Sequence, residues 1–278
     1  MRNYYDEIAS IYDRTRPLPR SVSEQVTECI LHLVKATPET KFLEPGIGTG
    51  RTALPIIERG YSYTGVDISK EMMDELRRKL QGVPNNLTLL QADAASLGFD
   101  NDSFDVVLTT HMLQCLPDWL KGLAEIRRVL KPNGFYLACE NLLTKHQRDF
   151  EQQWRAILAQ YEQGQNTNQI PSLSPFKEGI TQVLIQQGAV VETVIAAQWQ
   201  VEQTVGELLD AYQSRAYGIC WSVPDDIFSS AIRDFKQWCQ KNYQYEDLIL
   251  SSDATFEIIV ARNWAAGVIV AKDAPLLA

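Results

Sequence analysis

The chain has 278 residues, 45% of them apolar and 22% charged, and a formal net charge of −9. That length can bury a full core as one domain with insertions, and the acidic balance weighs against nucleic acid or an anionic membrane as a partner. The five cysteines, Cys29, Cys115, Cys139, Cys220 and Cys239, form no C-x-x-C pair, which argues against a disulfide framework or a metal site and for a reducing, cytoplasmic setting.

The N-terminus is polar, without the apolar core of a signal peptide. No apolar run is long enough to span a bilayer, so no integral membrane association is expected. Tyr4, Tyr5, Tyr12, Arg14 and Arg16 precede the breakers Pro17 and Pro19. Ser21 and Glu24 have capping-box spacing and open a helix with Val22, Val26, Ile30, Leu33 and Val34 on one stripe. Lys41 to Leu43 start a first strand. Glu44 ends it, and Gly46, Gly48 and Gly50 follow at alternate positions, where a backbone without Cβ can turn tightly and let a ligand approach. A helix is expected over 51–59, with Pro55 near its first turn and Gly60 as its stop. Tyr61 to Val66 is a second strand ending at Asp67, Ser69 can cap the next helix, and Met72, Leu76 and Leu80 share that helix's face. Further strands are expected at 87–90, ending near Asp93, and at 104–108. A helix over 120–130 is closed by the breaker Lys131-Pro132-Asn133-Gly134, and a fifth strand follows at 135–139.

Beyond Glu140 the rhythm changes. Helices are expected near 145–163, 177–187, 204–216 and 225–241, strands at 190–196 and 255–261, and a polar loop at 165–175. The stretch between the last two strands is too long for a turn and predicts a helical cap. The fold expected is α/β: a doubly wound, mostly parallel seven-stranded sheet with an N-terminal helical lid and a cap inserted between the last two strands. Residues 1–36 then form the lid and first helix, 37–141 the ligand-binding core, and 142–278 the rest of the sheet with the cap, in one domain overall. The apolar tail 265–278 has no assigned role.

Glu44-Pro45-Gly46-Ile47-Gly48-Thr49-Gly50, Gly65-Val66-Asp67-Ile68-Ser69, Gln91-Ala92-Asp93-Ala94, Phe104-Asp105-Val106-Val107 and Glu125 to Gly134 together resemble the class I S-adenosylmethionine-dependent methyltransferases, in particular the small-molecule group that includes the ubiquinone and menaquinone biosynthesis enzymes. The resemblance covers about residues 40–140. It implies S-adenosyl-L-methionine as cofactor and a small-molecule methyl acceptor as partner, with O- or C-methylation favoured over N-methylation. It also implies that the loop from Gly46 to Gly50 passes the methionine and ribose part and that Asp93 accepts from the adenine amino group beside the Ala94 backbone. Thr109, at the end of the fourth strand, then touches the cofactor, and Tyr12 and Arg16 of the lid close over it.

The residues carry reasons of their own. Glu44 stands where it can meet a ligand cation. Asp67 can accept from two ribose hydroxyls, or cap the following helix. Ile68 and Met72 can flank adenine, although Met72 also fits the core stripe. His111 is a candidate base, since an ordinary imidazole titrates near neutrality, or simply a structural histidine. Tyr5, Tyr12, Trp199, Tyr212, Tyr217, Trp221, Phe228 and Trp238 are candidate walls of an acceptor pocket. Two other readings stay open: an NAD-dependent oxidoreductase, against which Arg51 stands in place of the last glycine of G-x-G-x-x-G, and a non-catalytic S-adenosylmethionine-binding protein. A monomer and a homodimer are equally compatible with the sequence.

Overall fold

A computed structural model describes residues 4–161 and 173–264. Two short helices, α1 (Tyr4–Ile8) and α2 (Tyr12–Thr15), precede α3 (Arg20–Leu33). Then come β1 (Lys41–Pro45), α4 (Leu54–Glu58), β2 (Ser62–Asp67), α5 (Lys70–Lys79), β3 (Leu87–Gln91), β4 (Phe104–Thr110), α6 (Trp119–Val129) and β5 (Leu130–Asn141). The second half holds α7 (Lys145–Tyr161), α8 (Leu173–Gln186), β6 (Val190–Thr204), α9 (Val205–Gln213), α10 (Asp225–Tyr243) and β7 (Ile249–Arg262). The strands form one seven-stranded sheet in the order β3-β2-β1-β4-β5-β7-β6. The first five pair in parallel, and β7 runs antiparallel to both β5 and β6.

The apolar runs of β1 and β4 are buried on both faces, as parallel strands between helix layers must be. Successive side chains point to opposite sides. Phe42, Val106 and Leu108 therefore pack with Val26, Ile30 and Ile56 of α3 and α4, while Leu43 and Val107 pack with Leu123 and Ile126 of α6. A third cluster, around Trp154, Tyr212 and Phe235 of α7, α9 and α10, forms the cap. The five cysteines are free thiols, three of them buried. No helix among the described residues is long and apolar enough to cross a membrane.

Several local expectations are corrected. Ser21 and Glu24 make no capping box: α3 begins after Pro19 without a side-chain cap, and Glu24 is drawn instead to Arg20 and Arg59. β5 begins directly at Leu130, but residues 131–134 bulge out of its pairing with β4, and the regular register resumes at Val106↔Phe135, where the fifth strand was expected. The last two strands are longer than the apolar cores that announced them. β5 stops pairing with β7 at Asn141↔Phe256, but β6 and β7 continue together to Thr204↔Ile249. This two-stranded ribbon, rich in Gln, Ser and Asp, carries α9 and α10 at its tip. Residues 162–172 and the tail 265–278 lie outside the described residues.

Gly50 has a φ of +72°, and a Cβ there would stand 2.5 Å from Cδ1 of Leu76 on α5. Gly50→Ala is expected to destabilise the fold by about 1–3 kcal/mol through overpacking and backbone strain. Urea unfolding measures this, and an unchanged midpoint would show that loop and helix can move apart.

Candidate active site

At the carboxyl ends of β1 and β4 the direction of strand addition reverses, which in open α/β sheets leaves a crevice. Here it holds a cavity of about 320 Å³. The loop after β1 forms its floor. Gly46 and Ile47 donate to the Val66 carbonyl at 2.7 and 3.1 Å, drawing the loop onto β2. Gly46 has a φ of +75°, and a Cβ there would meet Met112 Cγ at 2.3 Å. Gly48 donates its N–H to Asp67 Oδ2 at 2.8 Å, and Ser69 donates its N–H to Oδ1 at 2.8 Å. Asp67 thus braces both turns. Ser69, not Asp67, caps α5 by accepting from Met72 N. Each Asp67 oxygen keeps a lone pair for the cavity that it lines. Burial raises its pKa, and the N–H groups of Ser69, Gly48 and Ile68 oppose that rise.

Glu44 is 2% exposed. It accepts from Tyr63 OH at 2.7 Å and Thr110 Oγ1 at 3.2 Å. Burial pushes its carboxyl up to about 7 despite those donors, with the Asp67 charge adding to the rise. His111 has a φ of +50° and lines the cavity. Its Nε2 accepts the Asn141 N–H at 2.9 Å, so the neutral ring carries its proton on Nδ1, 3.5 Å from the Gln114 amide. Burial, with Arg51 and Arg16 nearby, lowers its pKa to about 4. The Asn141 N–H occupies the lone pair of Nε2, the nitrogen that would have to take a proton from an acceptor, and this favours the structural reading of His111.

The N-terminal lid is tied at both ends. Asp6 accepts from Ser69 Oγ at 2.6 Å, and Asp13 accepts from Thr49 Oγ1 at 2.6 Å and pairs with Lys79. Towards the cap, Tyr4 stacks on Trp221 with centroids 5.3 Å apart. Arg16 donates to the Ala216 carbonyl at 2.6 Å and lies over the rings of Tyr12 and Tyr217.

Of the expected site residues, Tyr12, Glu44, Gly46, Gly48, Asp67, Ile68, Met72, Asp93, Ala94 and His111 line one cavity. Three do not. Gly50 faces Leu76. Arg16 sits behind Tyr12. Thr109 is buried on the α6 face, 2.9 Å from Tyr136 OH, and its neighbour Thr110 is the one facing Glu44. Strand alternation carries that information: Val106 and Leu108 share a face with Thr110, and Thr109 falls on the other. Asp93 is exposed and also accepts from Ala95 N at 2.8 Å. Met72 serves both readings, being 3% exposed and within 3.2 Å of where a Gly48 Cβ would stand. Of the candidate aromatic walls, only Tyr5 and Tyr12 reach the cavity. Tyr212, Tyr217, Trp221, Phe228 and Trp238 pack the cap, and Trp199 packs against the sheet core. Arg51, Thr52, Thr110, Met112 and Cys115 line the cavity and were missed.

Fold and cavity define an α/β protein with a nucleoside-type site at the switch point of its sheet. Residues 43–138 match a family described as a methyltransferase domain. A demethylmenaquinone methyltransferase from Clavibacter sepedonicus is 34% identical over 137 residues, which is 49% of this chain and 56% of that protein; the chain thus spans little more than half the length of such relatives. Among solved structures, the YcgJ protein of Bacillus subtilis superposes with a TM-score of 0.54 at 17% identity, over 86% of this chain and 98% of that one. The [4+2]-cyclase SpnF does so with a TM-score of 0.54 at 14% identity, over 93% and 94%. These two structures speak for the fold alone. Residues 43–138 are thus a methyltransferase domain on a sheet of the class I order, and a domain of that kind implies S-adenosylmethionine as methyl donor. The antiparallel β7 between β5 and β6 also departs from the all-parallel dinucleotide fold that an NAD site would imply.

The residues present fit that donor. The loop at Gly46 and Gly48 leaves backbone open to a ligand where a Cβ would intrude. Arg51 lines the cavity with its Nε buried and without a hydrogen-bond partner among the described residues.

Proposed function

We propose that this chain methylates oxygen or carbon of a small, partly apolar acceptor. One observation carries the choice. The cavity carboxylates Glu44, Asp67 and Asp93 all stand along the glycine loop and the ends of β2 and β3. The remaining wall, formed by Tyr5, His111, Met112, Cys115, Leu116 and Pro117, presents no carboxylate among the described residues. An amine acceptor, protonated at neutral pH, finds no anion there and has Arg51 and Arg16 nearby. A neutral or anionic acceptor suits that wall, and relatives named as demethylmenaquinone methyltransferases support a quinone-like compound.

S-adenosylmethionine supplies a methyl group already activated on a sulfonium, so the protein's work is alignment and exclusion of water. In this reading Asp67 holds the ribose hydroxyls, and Asp93 and Ala94 meet the adenine edge. Ile68 and Met72 flank the ring, and Glu44 faces the cationic amino group. Tyr5 and Tyr12 close the roof, and Nδ1–H of His111 can orient an acceptor oxygen.

Calorimetric titration with S-adenosylhomocysteine, followed by labelled-methyl transfer to panels of phenols, enols and amines, tests this. One binding site per chain and transfer to the oxygen or carbon panels are expected. Transfer to amines alone would overturn the acceptor reading. Binding without turnover on any panel would favour a non-catalytic role.

A further inference from the structure

We propose that Gly122 is a positioning residue for the methyl acceptor: by leaving a notch in α6 it draws Leu116 back from the cavity and sets how wide a ring the acceptor wall admits. The assignment rests on the reading of that wall as the acceptor side.

Gly122 lies on the face of α6 that also buries Leu123, Ile126 and Val129. A glycine inside a helix costs stability relative to alanine, and Gly122 is not among the glycines with positive φ, so the backbone does not call for it. The reason is steric. A Cβ at position 122 would stand 2.4 Å from Leu116 Cδ1 and 3.3 Å from Leu113 Cδ2. The backbone of Leu116 has little freedom to yield. Its N–H donates to the Leu113 carbonyl at 3.0 Å, its φ of −79° and ψ of 136° are extended, and Pro117 behind it disfavours the helical alternative. Leu113 is 2% exposed and closes the core side. The open side is the cavity, which Leu116 lines together with Tyr5, His111 and Cys115.

Carbon atoms in contact stand about 3.5–4.0 Å apart, so a methyl at position 122 moves Leu116 Cδ1 by about 1 Å or more. Close packing on the core side directs that movement into the cavity. The clash is absorbed by the flexible end of one leucine. The carboxylates of Glu44, Asp67 and Asp93 stand on the other walls and keep their places. Residue 122 thus touches no ligand and still sets the width of the acceptor wall through Leu116.

Protein saturated with S-adenosylhomocysteine is titrated calorimetrically with phenol and with naphthol, using wild type, Gly122→Ala, Leu116→Ala and the double variant. Wild type is expected to bind both, and naphthol the more tightly. Gly122→Ala should hold phenol within about twofold and lower the naphthol-to-phenol affinity ratio by about tenfold or more, the scale of one methylene in an apolar pocket. Leu116→Ala should leave the ratio at least as high as in wild type. The double variant should recover it, because a methyl at position 122 then displaces nothing. Affinity for S-adenosylhomocysteine should stay within about twofold in all three variants, which also shows that they are folded.

An unchanged ratio in Gly122→Ala would show that Leu116 yields without entering the cavity and would overturn the assignment while leaving the acceptor reading in place. A fall that the double variant does not recover would overturn it too, since the helix itself would then be distorted. So would equal losses for phenol, naphthol and S-adenosylhomocysteine, the mark of a purely structural glycine. A wild type that binds S-adenosylhomocysteine and neither phenol nor naphthol would sink the acceptor reading of the wall and this assignment with it.

Discussion

Glu44→Gln makes the empty protein more stable at pH 8 and a poorer binder of S-adenosylhomocysteine. The opposed signs come from one carboxyl. In the unfolded chain Glu44 titrates near 4.5, and in the empty fold near 7, because burial disfavours its charge more than Tyr63 and Thr110 favour it. Between those values the fold holds an additional proton, so its stability falls as pH rises, and above about 7 the whole penalty is present. At about 1.4 kcal/mol per pH unit that penalty is on the order of 3–4 kcal/mol. Glutamine removes it while keeping one acceptor for the two hydroxyls. Urea midpoints of wild type and variant should therefore differ at pH 8 and converge below about pH 5. For the ligand the sign reverses. An ammonium placed beside Glu44 favours the carboxylate, so wild-type affinity should fall as pH drops below about 7, with proton release on binding near neutrality. The variant should bind more weakly by about ten- to hundredfold at pH 8, with a flatter pH profile. Equal affinities at pH 8 would remove Glu44 from the cofactor site.

Asp67→Ala has the second large effect, and it acts on two levels. Gly48 and Ser69 both lose the acceptor of a backbone N–H, which should destabilise the protein by about 1–3 kcal/mol. The same loss frees the glycine loop and removes the proposed acceptor for the ribose hydroxyls. Affinity for S-adenosylhomocysteine should drop by about ten- to hundredfold or more. Asp67→Asn separates the two roles. Its remaining carbonyl can accept one of the two N–H groups, so thermal stability should recover in part while affinity stays low. If affinity recovers in step with stability, Asp67 is an architectural brace and the ribose assignment fails.

That Gly46, Gly48, Asp67, Asp93 and Ala94 gather at one cavity was legible in the sequence because their placement is local. Gly46, Gly48, Asp67, Asp93 and Ala94 sit at strand ends, and a strand followed by a glycine turn brings such residues to one sheet edge whatever the remaining chain does. The succession of β1 to β5 along the chain, and their parallel pairing, followed from the alternation of strands and helices. Thr109 was misplaced by one residue although the period of the strand carried the answer. The two readings of His111 stayed open for a different reason: its lone pair is taken by Asn141, 30 residues away in sequence, and no local pattern reports such a partner.

The sequence by itself determined the strands, the helices between them and the glycine loop, since these depend on backbone preference and on patterns within a few residues. Only the tertiary structure decided which aromatic residues face the cavity, that Glu44 is buried enough to titrate near 7, and that Arg51 is buried at the cavity beside Tyr12 and Asp13. Burial and electrostatic balance are sums over groups distant in the chain. Tyr212, Phe228 and Trp238 read as readily as a pocket wall as they do as a cap core, and the folded arrangement is what separates the two.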